Sequence, residues 1–251
     1  MPINFSRKLT GRVRTAPANR HLGLALAFVA GAINAGGFLA VQQYTSHMTG
    51  IVSSMADQLA MGTVNLALAG LTALAAFVLG ASCSAVLLEY SRRRALHSEF
   101  ALPLMLEACL LLAFGLLGAR LAVIDALYVS ITVVLLCFIM GLQNAVMTAL
   151  SRAEIRTTHI TGIVTDIGIE LGRLAYPPRG DQQRATAAPV DKARLRLLCQ
   201  LVLFFFIGGL VGALGFKHIG YSATIPLAIA LILLASVPIA DDLHLRWGRR
   251  R

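Results

Sequence analysis

One stretch of this chain is written twice, and the repetition limits the fold more than any other feature. Gly31-Ala32-Ile33-Asn34-Ala35 is followed after a gap by Ser46-His47-Met48-Thr49-Gly50-Ile51-Val52. About 110 residues later, Gly141-Leu142-Gln143-Asn144-Ala145 is followed by Thr158-His159-Ile160-Thr161-Gly162-Ile163-Val164. A repeat of this length means that two halves share one plan. The match runs further: Phe77 and Gly80 correspond to Phe205 and Gly208, and Pro103 to Pro226.

The surroundings of the repeat decide the fold class. Only 14% of the 251 residues are charged and 57% are hydrophobic, whereas a soluble domain carries about 25% charged residues. Several uncharged runs reach about 20 residues, the length that crosses a bilayer as a helix. The expectation is an all-α, polytopic membrane helix bundle with six transmembrane helices: Leu22–Val41, Val64–Leu88, Leu102–Ala119, Ala126–Leu150, Leu197–Phe216 and Ile219–Ala240. Each half adds a short re-entrant or interfacial helix after its first span, Met48–Gly62 in one and the segment from the His159 box to Gly172 in the other. The organisation expected is a basic tail (1–20), repeat 1 (21–120), repeat 2 (121–242, with a polar loop at 173–196) and a second basic tail (243–251).

The net charge of +10 fits loops held at a membrane face, not nucleic-acid binding, because no aromatic platform accompanies it. With three spans per half, every one of the 22 Lys and Arg except Arg120 and Lys217 falls on one side, which the positive-inside rule makes the cytoplasm. Both termini are then cytoplasmic, and the basic N-terminal tail lies against anionic lipid. Counting the short helices as full spans would instead put Arg92, Arg93 and Arg94 outside. An odd number of spans per repeat inverts one half relative to the other, a plan that places a ligand site between the repeats near mid-membrane. No cleavable signal peptide is expected, since a small-residue cleavage site is lacking after the first run. Cys83, Cys109, Cys137 and Cys199 sit in apolar runs with no metal or redox spacing, and read as small buried hydrophobes.

The chemistry-bearing candidates follow from the duplication. A short helix that starts inside the membrane presents free N–H groups to an anion. Thr45, Ser46, Thr157 and Thr158 stand where they could cap it, and His47 and His159 could titrate near neutral pH. Against that, each histidine could simply bond within the fold, and Gly50 and Gly162 could serve close helix packing. Asn34 and Asn144, one per half, either face a central pathway or link helices. Glu107 lies inside a span and so is a functional candidate by default. It has no repeat partner, falling opposite Ala230. Asp57, Asp166 and Glu170 on the short helices complete a possible proton relay. The small-residue stripes Gly80-x-x-x-Ser84 and Gly208-x-x-x-Gly212 predict that these two spans cross near the pseudo-twofold axis. No metal site is expected, because two histidines lack tight ligand spacing. No nucleophile elbow, phosphate loop or dinucleotide fingerprint is present, so neither a cofactor nor an enzyme is expected.

The run Gly31-x-x-Asn34-Ala35-Gly36-Gly37-Phe38, followed by Tyr44-Thr45-Ser46-His47-Met48-Thr49-Gly50, resembles the YoaK-like family of bacterial inner-membrane proteins, a family of unknown function. The likeness covers nearly the whole chain. It implies a multi-pass inner-membrane protein and marks Gly31, Asn34, Ala35, Ser46, Thr49 and Gly50 as motif positions. The family often has aspartate at the position of Asn34, which implies that a charge is missing here.

These readings converge on a small-solute or ion transporter or channel. Asn34, His47, Thr49, Asn144, His159 and Thr161 would line its central site, and a small anion or proton-coupled solute would be the cargo. The alternatives are a scaffold whose repeat is purely structural, and an intramembrane lipid-modifying enzyme built on His159, Asp166 and Glu170. Membrane lipids are the partners expected in every case. Internal pseudo-symmetry makes a monomer sufficient and leaves a homodimer compatible.

Overall fold

A computed structural model describes residues 16–96, 98–121, 125–150, 159–176 and 190–248. The expected tail up to residue 15, the basic stretch 151–158, most of the polar loop (177–189) and the final arginines (249–251) lie outside the described residues. Among the described residues the chain forms α-helices joined by turns: α1 (Ala16–Val41), α2 (Met48–Ala60), α3 (Val64–Arg93), α4 (Ala101–Leu121), α5 (Asp125–Leu150), α6 (Ile160–Ala175), α7 (Lys192–Ile219) and α8 (Thr224–Gly248), with a 3-10 turn at Gly220–Ala223.

Five segments are long and apolar enough to cross a membrane, so this is a multi-pass helical membrane protein. The last of them, Lys192–Ala240, has 49 residues. As one straight helix it would measure about 73 Å, more than twice the ~30 Å hydrocarbon core. It bends at Gly220, whose φ of 61° suits glycine and ends α7. The long helices outrun the apolar runs of the sequence: α3 continues to Arg93 and α7 begins at Lys192. Arginine and lysine are good helix formers whose stems reach from the apolar layer into water.

The helices pair across the halves. α1 packs most extensively on α7, and its repeat partner α5 packs on α3. α2 rests on α3 as α6 rests on α7, and α4 packs on α8. Each of these main pairings has a counterpart in the other half or joins two corresponding helices, whereas α4 also packs on α5 with no comparable contact of α8 on α1. The directions are also fixed by side-chain and backbone meetings. Gly23 lies against Met147, Gln143 donates to the Leu26 carbonyl, and Gly37 lies against Leu136, so α1 and α5 run antiparallel. Gly212 lies against Ala32, Gly36 against Phe216, and Arg20 donates to Gln200, so α1 and α7 run parallel.

Glycine makes the two cross-half pairings possible. A methyl group on Gly31 would lie 2.0 Å from the Phe205 carbonyl oxygen, and one on Gly208 would lie 2.0 Å from that of Phe28. In the other pairing Gly141 meets the Phe77 carbonyl and Gly80 meets that of Phe138, each again at 2.0 Å. Two glycines thus let backbone touch backbone at each crossing, the close approach that membrane helices use in place of a hydrophobic driving force. This corrects the expected crossing of the two second spans. α3 and α7 form no extensive pair with each other; each small-residue stripe is spent on the first span of the other half. Burial agrees with that placement. The apolar windows of α1 and α5 are each 56% buried, against 28% for α3 and 22% for the α7–α8 segment. α3 and α7 turn Leu68, Leu71, Val78, Phe206, Leu210 and Val211 outward, a surface suited to lipid.

Candidate functional site

The N-terminal turns of α2 and α6 are built alike. His47 is the N-cap of α2 (φ −91°, ψ 69°) and His159 that of α6 (φ −85°, ψ 52°), and neither side chain makes a capping hydrogen bond. In each, the imidazole folds over the first turn. A methyl group on Gly50 would lie 2.6 Å from His47 Nδ1, and one on Gly162 would lie 2.8 Å from His159 Nδ1. The glycine three residues after each histidine thus makes room for the ring. One residue later the chain is anchored. Ile51 is buried with Ala73, Ala76 and Cys137, while Ile163 is buried with Ala27, Leu198 and Leu201. The repeated His-x-Thr-Gly-Ile sequence therefore encodes one turn: cap, ring seat and apolar foot.

The expected capping by Thr45 and Ser46 is not what holds α2. Ser46 donates from both its N–H (3.3 Å) and its hydroxyl (2.9 Å) to Asn34 Oδ1. Thr45 is buried, its hydroxyl without a partner among the described residues. Asn34 thereby ties the entrance of α2 to α1. Asn144 donates to the Met140 carbonyl of its own helix at 2.8 Å. Thr157 and Thr158 lie outside the described residues.

Between the two turns is a cavity of about 660 Å³. Its walls come in repeat-related pairs: Asn34 with Asn144, His47 with His159, and Thr49 with Thr161. Phe77 and Phe205 also line it, with Ser46, Tyr44 and Thr148. Phe77 and Phe205 stand at the midpoints of α3 and α7, so the cavity sits at half-height in the bundle. Gly50 and Gly162 lie behind the histidine rings and do not line it. The described lining has imidazole, hydroxyl and amide groups and no carboxylate, lysine or arginine. Beside it, the first-turn N–H groups of two helices have no intrahelical acceptor, since the first bonds to the His47 and His159 carbonyls come from Ile51 and Ile163. Such a chamber can hold a small solute through hydrogen bonds without a fixed opposing charge.

The acidic candidates lie elsewhere. Asp166 pairs with Arg194 at 2.9 Å. Glu170 is buried, pairs with Arg173 at 2.7 Å, and accepts from the Asp191 N–H. Both fasten the far part of α6 to the start of α7. Asp57 is exposed on α2. Glu107 is fully buried in α4, its two carboxyl oxygens without a partner among the described residues. None of the four is among the described residues that line the cavity. Among the described residues no three His, Cys, Asp or Glu side chains come together as a metal site would require. Tyr44, Thr148 and the two phenylalanines line the cavity without having been candidates. The matching of Phe77 with Phe205 across the repeat was the signal available for that pair.

A family model described as "Protein of unknown function (DUF1275)" matches residues 22–237. No curated protein and no solved structure matches the chain.

Proposed function

This chain belongs to the DUF1275 family of proteins of unknown function, and we propose that it is a small-solute or ion transporter or channel of the bacterial inner membrane with its binding site in the central cavity. The observation that carries this reading is the cavity at half-height between two copies of the same helix turn, with paired histidines, threonines and asparagines in its walls. In this reading the bundle crosses the membrane six times, as two inverted three-span repeats, with α2 and α6 re-entrant from opposite faces. The antiparallel course of α1 and α5 and the break at Gly220 support it. α2 has 13 residues, about 20 Å, enough to return from mid-depth to one face but not to cross. Both termini are cytoplasmic by the positive-inside argument. A small anion or proton-coupled solute suits a chamber with two imidazoles, two helix N-termini and no carboxylate among its described lining residues.

A purely structural repeat would leave no such space between its polar boxes. The enzyme reading needed Asp166 and Glu170 beside His159, and these carboxylates are held in ion pairs away from the cavity. The test is thermal unfolding of the purified protein in detergent, scanned over pH and over chloride, nitrate, formate, acetate, bicarbonate and phosphate. A ligand that binds only the folded state raises its stability. We expect at least one of these anions to raise the unfolding temperature of the wild type and not that of His47→Ala/His159→Ala. If none does, and the double variant is merely less stable at every pH, the transport reading falls and the scaffold leads.

A further inference from the structure

A second cavity of about 660 Å³ lies between α2 and α3. Its polar walls are Gln42, Gln43, Ser54, Gln58 and Thr72. It shares two residues with the central cavity, Tyr44 and His47. These two side chains therefore have one cavity on either side of them. Tyr44 is held in place by Phe38, whose ring it stacks on with centroids 4.5 Å apart and planes 21° from parallel. Phe38 lines the second cavity only. Gln42, in the left-handed region (φ 55°), turns the chain at the end of α1, and this return lays Tyr44 on Phe38.

The second half differs here. The position repeating Phe38 is Thr148, which lines the central cavity directly. The wall formed by α2 is also held differently from its counterpart. Met48, Ile51 and Met55 give α2 an apolar seat against Ala73 and Ala76, with no ion pair among the described residues, where α6 has two ion-paired carboxylates. The described linings of both cavities contain no Lys, Arg, Asp or Glu. Amides, hydroxyls and imidazoles set among apolar residues such as Val41, Ile51, Leu66 and Val133 suit the passage of a small polar solute, which a fixed charge would trap or repel.

Resting on the transport reading above, we infer that the α2–α3 cavity is the vestibule through which a small polar solute reaches the central cavity, and that Tyr44 stacked on Phe38 is the partition between the two. Entry then requires Tyr44 to leave Phe38, and the α2 side of the molecule is where access is controlled.

The experiment reads access directly. The full chain, with Cys83, Cys109, Cys137 and Cys199 replaced by alanine, carries Thr161→Cys on the far wall of the central cavity. It is reconstituted in liposomes and labelled with sulfonatoethyl methanethiosulfonate, a small membrane-impermeant reagent, added to one face at a time. Ala69→Trp, which fills the vestibule, slows labelling from one face roughly tenfold, and Tyr44→Ala speeds it from the same face by a similar factor, as expected when access limits thiol reaction. Labelling from the other face is unchanged by both. Ser54→Trp, on the opposite wall, replaces Ala69→Trp if that variant is not monodisperse. A rate indifferent to the blocking tryptophan overturns the inference, as does a Thr161→Cys thiol that never reacts or a block equal from both faces. If the labelling order holds while no anion stabilises the protein, the route stands and the transport reading fails. If an anion binds but the tryptophan does not slow labelling, the route fails and the transport reading stands.

Discussion

At the cavity, α2 and α6 are nearly interchangeable; seven residues later their polar positions part company. Both open with histidine folded over a glycine and an isoleucine driven into a neighbouring helix pair. Beyond that turn, α6 carries Asp166 and Glu170, each bound to an arginine. At the matching places α2 has Ser54 and Gln58, which face an open cavity. The duplicated chemistry is thus confined to one helical turn, the turn that both halves present to the same chamber. The remainder of each short helix answers only to its own surroundings and has diverged with them. The far part of α6 is clamped by charge, whereas α2 sits on α3 through apolar contact with no ion pair among the described residues.

That comparison can be broken in graded ways. The largest effects belong to the crossings on which both short helices depend. Gly80→Ala and Gly208→Ala each press a methyl group onto a backbone carbonyl at 2.0 Å, and no side chain can move aside. Each should lose about 3 kcal/mol or more, read as loss of monodisperse protein on size exclusion. Damage at one crossing and not the other would end the argument that the halves are equivalent. Next come Gly50→Ala and Gly162→Ala, which displace an imidazole instead of backbone. We expect equal falls in unfolding temperature, corresponding to about 1–3 kcal/mol each, and unequal falls would mean that the two turns are not one design.

Smaller effects should separate the far ends. Glu170→Ala removes the partner of Arg173 and the acceptor of the Asp191 N–H, a loss of about 1–2 kcal/mol, whereas Gln58→Ala should stay within about 0.5 kcal/mol of wild type. Thermal unfolding of the two variants side by side checks the contrast. Asp166→Asn breaks a half-exposed pair and should lower stability by less than about 1 kcal/mol. The loss should shrink in high salt, while Ser54→Ala shows no salt dependence.

The membrane class could be read from the sequence because it is written locally, in the length of apolar runs. The partners of the helices could not. A small-residue stripe announces a close contact without saying with whom, and Gly80 and Gly208 proved to meet Phe138 and Phe28 of the opposite half. At the cavity, the histidines, threonines and asparagines stood out because they occur twice. Tyr44 and Phe38 did not, since the first lies in a turn and the second is replaced by Thr148 in the repeat. The acidic residues misled for a different reason. A carboxylate on an amphipathic helix looks the same in sequence whether it faces a solute or an arginine, and the arginine of Asp166 comes 28 positions later.

The exchange of partners between halves has a consequence for synthesis. When α1 to α4 have left the ribosome, the glycine faces of α1 and α3 have no helix to meet, because their partners α7 and α5 are still to be made. The first half must wait in the bilayer with those faces covered by lipid tails. α5 arrives first and takes α3; α1, the first helix inserted, is not matched until α7 follows.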